Sequence, residues 1–120
     1  MIKVLIAFIF STFCVLSCSK DKLQDTIAVC NSQITYINQI KPIIDKSCAY
    51  STCHVSGFSN GSYISYKDME RHLLNGKFDK WVINDRAMPP SYAPQGKPTS
   101  LTPEELNLIL CWKKDNFIEK

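Results

Sequence analysis

The chain has 120 residues, 45% hydrophobic and 21% charged, with 14 basic and 11 acidic side chains (net charge +3) and six cysteines. That length fits one small domain, and a weak, dispersed charge excludes the clustered basic stripe of a nucleic-acid-binding protein. Beyond the N-terminus no apolar run approaches the ~20 residues of a spanning helix, while so many cysteines point to an oxidising compartment, a bound metal or a covalent cofactor.

The N-terminus carries one charge, Lys3, then an apolar stretch, then small residues and a cysteine. This pattern predicts a signal peptide. Val15-Leu16-Ser17-Cys18 resembles the lipobox of bacterial lipoproteins. The resemblance implies cleavage before Cys18 and acylation of that cysteine. Residues 1–17 are then the lipoprotein signal peptide, 18–33 a lipidated tether and 34–120 the folded domain. Acyl chains attach a protein to a membrane at about 0.8 kcal/mol per buried methylene. An ordinary secretory signal is the competing reading. Both readings export the chain, and the lipid-anchored one places it in a bacterial cell envelope, facing the periplasm or the cell surface.

The domain begins with a helix expected near 36–47, whose main turn Pro42 opens. It runs into Cys48-Ala49-Tyr50-Ser51-Thr52-Cys53-His54. Residues 55–62 carry two glycines and no helical period, so a turn-rich loop is expected. A second helix spans about 66–75, with Ser65 as its cap and Gly76 at its end. Its apolar face holds Tyr66, Met69 and Leu73; His72 lies beside that stripe, a position typical of a surface or boundary histidine. A third helix is expected over 77–84. Arg86-Ala87-Met88-Pro89-Pro90 forms a Pro-rich loop that continues to Ser100. In Leu101-Thr102-Pro103-Glu104-Glu105-Leu106, Thr102 is an N-cap, Pro103 the first helical residue and Glu105 the partner in a capping box. Leu101 and Leu106 stand at staple spacing, and the helix runs to about 117. The fold class is all-α, four to five short helices with a thin core of their own. Phe78, Trp81, Val82 and Trp112 are candidates for a pocket wall, Trp112 more as packing between the first and last helices.

Cys48, Cys53 and His54 carry the chemistry. C-x-x-C-H is the attachment signature of a c-type haem, in which two thiols bond the ring and the adjacent histidine ligates the iron. Here the spacing is C-x4-C-H, and the Cys53–His54 adjacency is kept. A Cys48–Cys53 disulfide or a zinc site also suits these residues.

The order of pieces, from the Ile-Lys-Pro-Ile helix into the Cys-His motif, then Met-Pro-Pro, then Leu-Thr-Pro-Glu-Glu opening a helix with Trp112, resembles small bacterial cytochromes c, especially the planctomycete-type domains. The match runs from about Tyr36 to Asp115 and departs from the family in its wider cysteine spacing. The resemblance implies a cytochrome c-like fold around one covalent haem c. Cys48 and Cys53 would form the thioethers, with His54 and Met88 as axial iron ligands and His72 as a weaker alternative to Met88. It further implies an electron-transfer protein rather than an enzyme, working with redox partner proteins. With Cys18, Cys48 and Cys53 so used, two cysteines of the mature chain remain, Cys30 and Cys111. The family packs its first and last helices together, which implies a Cys30–Cys111 disulfide. A zinc site using Cys30, Cys111, Cys48 and Cys53 is the alternative. Lys77, Lys80, Arg86 and Lys97 are candidates for a basic rim. Two other functions stay open: a haem-based ligand sensor or enzyme, and a disulfide- or zinc-stabilised lipoprotein binding module without haem.

Overall fold

A computed structural model describes residues 28–120, and the expected signal peptide and Cys18 lie outside the described residues. The described residues are helical with no strand, in agreement with an all-α class. The first helix is in two parts. Thr35 caps it, its hydroxyl accepting from the Asn38 N–H. Tyr36–Ile40 winds as a π-helix and Lys41–Ser47 continues as helix α1. Pro42 offers no N–H and its ring crowds the carbonyl four residues back. The turn ahead of it is widened, with Lys41 N–H pairing to Tyr36 O.

Helix α2 is Tyr66–Leu74. Ser65 accepts from the Asp68 N–H at 3.2 Å, and Gly76, at φ +73°, turns the chain out of the helix. Residues 77–84 are helical, with Asp79–Asn84 in π register. Helix α3 is Pro103–Lys114. Its capping box is complete: Thr102 Oγ1 accepts from Glu105 N–H at 3.2 Å, and Glu105 Oε2 accepts from Thr102 N–H at 2.9 Å.

α3 ends three residues earlier than expected. Asn116 and Phe117 both take φ +58°, and the chain folds back. Ile118 and Glu119 carbonyls then accept from the N–H groups of Tyr36 and Ile37 at 2.8 and 3.1 Å. These are among the unpaired donors that open any helix, so the C-terminal segment caps the first helix in place of a fourth α3 turn.

The core lies where α3 crosses Tyr36–Ile40. Trp112 is fully buried. Around it stand Phe117, Tyr36, Phe78 and Tyr66, with ring centroids 4.9 to 6.4 Å away. Its Nε1–H donates to Ile118 O at 2.8 Å, so the indole carries no unsatisfied donor into the core. Trp112 therefore packs between the first and last helices, as expected. Phe78 differs from expectation: it is buried against Trp112 and Phe117 rather than on a pocket wall.

A disulfide joins Cys30 to Cys111 with Cα atoms 5.5 Å apart. Beside it, Val29 N–H donates to Asn107 Oδ1 and Asn107 Nδ2 donates to Val29 O. The last residues of the expected tether thus lie along α3. Among the described residues no helix is long and apolar enough to cross a membrane.

Lys46 of α1 pairs with Glu105 of α3. Burial alone would raise the Glu105 pKa, but the Lys46 ammonium and the Thr102 N–H outweigh it and hold the carboxyl below its usual value. A carboxylate depressed by folding stabilises above its unfolded pKa and loses that contribution as pH falls through the folded one. Thermal unfolding of Glu105→Gln is therefore expected to show a smaller loss of stability between neutral and acid pH than the parent chain, with a lower midpoint at neutral pH. Equal acid sensitivity of the two proteins would contradict this.

Candidate cofactor site

Cys48 closes α1, its N–H still bonded to Ile44 O at 2.8 Å. The chain then reverses. Cys53 N–H donates to Tyr50 O at 2.9 Å, and Thr52 and His54 take φ +78° and +31°. Non-glycine residues rarely occupy that region, and where they do the surroundings hold them. Here His54 O accepts from Tyr63 N–H at 2.7 Å and His54 Nδ1 bonds Gly61 O at 2.8 Å. The two residues added by the wider spacing are accommodated in this reversal: Ser51 and Thr52 are exposed, while Tyr50 turns inward and is buried.

Met88 arrives from the other side. The helical segment 77–84 ends at Asp85, Arg86 turns the chain at φ +50°, and the N–H groups of Ala87 and Met88 both point to Trp81 O, at 2.9 and 3.1 Å. Pro89 is buried and Met88 half-buried.

These two loops face one cavity of about 690 Å3, whose wall includes Cys48, Cys53, His54, Met88 and Pro89. Its size falls within the ~300–1,000 Å3 of sites that enclose a cofactor-sized ligand. Every residue expected to hold the cofactor is therefore brought to the same cavity. Trp81 and Val82 line it, as expected. His72 also lines it and is buried, which corrects its expected surface or boundary position. The reason is a partner: Tyr63 Oη lies 2.9 Å from His72 Nδ1.

Of the expected basic rim, Lys77 and Lys97 take different places. Lys77 lines the cavity, whereas Lys97 sits over the Tyr50 ring, 4.5 Å from its centroid. Lys80 pairs with Asp85 and lies over Trp81. Arg86 borders a smaller cavity of about 140 Å3 on the far side of Met88. Arg71, Tyr50 and Tyr63 are wall residues that the sequence pattern did not single out. Tyr50 and Tyr63 sit in loops without periodicity, and Arg71 resembles any solvated helix charge.

The donors suit a soft, covalently attached metal cofactor. Cys48 and Cys53 are free thiols, one buried and one half-buried. Burial, helped by Cys53 and Glu105, pushes the Cys48 pKa up to about 12, so it is a thiol at neutral pH. Burial lowers the His54 pKa, against the opposing effect of the hydrogen bond that Gly61 O accepts. A neutral imidazole that gives Nδ1–H to a carbonyl presents a lone pair at Nε2, and Nε2 has no hydrogen-bond partner among the described residues. One buried hydroxyl on the same wall, Ser47 Oγ, also lacks a partner among the described residues. Arg71 and Lys77 add positive charge for an anionic edge. The residues present fit a haem.

The alternative zinc site is not assembled: Cys30 and Cys111 bond each other, and among the described residues no three His, Cys, Asp or Glu side chains converge to hold a metal ion. Comparison with protein-family models, curated proteins and solved structures gives no match.

Proposed function

We propose that this chain is a membrane-anchored monohaem c-type cytochrome that transfers electrons. The observation that supports it most is the meeting of Cys48, Cys53, His54 and Met88, from two separate loops, on one cofactor-sized cavity. In this reading the fold is cytochrome c-like, Cys48 and Cys53 would hold haem c as thioethers, and His54 and Met88 would ligate its iron. When bound, that group supplies the one-electron ferric/ferrous couple.

The chain's own residues set the conditions. Gly61 O fixes the His54 tautomer so that Nε2 is the ligating atom. Met88 contributes a soft thioether, which favours the reduced iron and raises the potential relative to harder ligands. Pro89 and Pro90 stiffen the loop that carries this weak ligand and reduce the entropy lost in holding it. Tyr63, Trp81 and Val82 give the cavity an apolar wall against which the ring would pack. Lipid on Cys18 would fix the protein to the cell envelope, where redox partner proteins meet it.

The test is the visible spectrum and carbon monoxide reactivity of protein from a bacterium with active cytochrome c maturation. A low-spin reduced spectrum that carbon monoxide leaves unchanged supports electron transfer. Rapid carbon monoxide binding contradicts it and favours a ligand sensor or haem enzyme. Met88→Ala is expected to lose the methionine-to-iron charge-transfer band and keep covalent haem; an unchanged spectrum would remove Met88 from the iron.

A further inference from the structure

The loop from His54 to Tyr63 does more than close the cavity. It is pinned at both ends and within: Tyr63 N–H to His54 O at 2.7 Å, Phe58 N–H to Val55 O at 3.0 Å, and Gly61 N–H to Phe58 O at 2.9 Å. It lays the Tyr63 ring flat on the His54 imidazole, centroids 4.1 Å apart and planes 7° from parallel. Phe58 closes the imidazole from another side, edge-on at 5.0 Å. Tyr63 in turn is tied to α2 by its hydroxyl, 2.9 Å from Nδ1 of the buried His72. Gly61 sits at φ +97°, and a Cβ there would come within 2.5 Å of His72 Cε1. The loop backbone, His72, Tyr63 and His54 therefore interlock, and α2 is connected to the imidazole through one phenol.

We propose that Tyr63 and His72 are positioning residues that fix the plane of the His54 imidazole, Tyr63 by stacking on it and His72 by anchoring the Tyr63 hydroxyl. The inference rests on the reading of His54 as an iron ligand. The Gly61 carbonyl holds Nδ1 through one hydrogen bond, whose angular tolerance still lets the ring rock about Cβ–Cγ. A stacked ring narrows that rocking, and the hydroxyl anchor keeps the stacked ring from sliding. Such outer partners set ligand orientation and basicity, and hence the potential of the site.

The test uses full-length holoprotein from a maturation-competent host: the parent chain, Tyr63→Phe, Tyr63→Leu and His72→Phe. Covalent haem is first quantified on denaturing gels, and spectra are compared per haem. Low-spin electron paramagnetic resonance reads the orientation of the axial imidazole, and potentiometry reads the midpoint. Tyr63→Leu is expected to shift and broaden the g values and to move the midpoint potential. Tyr63→Phe, which keeps the ring without its anchor, is expected to lie between Tyr63→Leu and the parent, and His72→Phe to match it. Parent-like g values and potential in haem-bearing Tyr63→Phe and Tyr63→Leu would overturn this inference alone. A parent chain without covalent haem would overturn the proposed function and this inference with it.

Discussion

Replacing His54 with alanine is expected to abolish stable holoprotein. Four features converge on this side chain: its place beside Cys53, its strained backbone at φ +31°, the Gly61 carbonyl on Nδ1, and the Tyr63 ring on its face. None of the neighbours replaces it as a donor. His72 has Nδ1 engaged by Tyr63, and its Cε1 and Nε2 lie close to Gly61. The measurement is covalent haem yield and the reduced spectrum of His54→Ala from a maturation-competent host. Near-complete loss of the low-spin spectrum is predicted. Retention of the parent spectrum would remove His54 from the iron.

Removing the Cys30–Cys111 disulfide is expected to cost about 4–5 kcal/mol, the loop-closure entropy released to the unfolded chain by a cross-link over 81 residues. Against a typical total stability of ~5–15 kcal/mol this is a large share. Ahead of the buried Ile34, the arm is otherwise held by the exposed Val29–Asn107 pair and by Ala28 at the edge of the core. The double variant Cys30→Ala/Cys111→Ala avoids a lone thiol, and denaturant unfolding beside the parent chain measures the difference. A midpoint within experimental error of the parent would show that the bridge does not constrain the unfolded chain.

The elements whose limits were legible are those whose signals are local. Ser65 and Gly76 mark α2, and Thr102, Pro103 and Glu105 mark the start of α3, because caps act within one turn. The end of α3 was not legible. It depends on Ile118 and Glu119 reaching Tyr36 and Ile37, some eighty residues away in the chain. Cysteine spacing alone leaves the Cys30–Cys111 pairing open, and only the family resemblance implies it. The burial of His72 is not legible in the sequence because it depends on Tyr63, a loop residue outside any apolar period. The place of Phe78 is hidden for a related reason. One turn of the 77–84 segment holds Phe78, Trp81 and Val82, and the packing of Trp112 and Phe117 decides which of them faces the core. The Cys-His and Met-Pro-Pro motifs were legible as ligand candidates because their chemistry is written in short range. That they share a cavity depends on tertiary packing.

Haem-stained denaturing electrophoresis of the protein from a bacterium with active cytochrome c maturation, read beside a reduced-minus-oxidised absorption spectrum, tests the central claim most directly. The account predicts stain that stays with the denatured chain and a reduced low-spin c-type spectrum, both lost when Cys48 and Cys53 are replaced by alanine. A chain made in that host without covalent haem would contradict it.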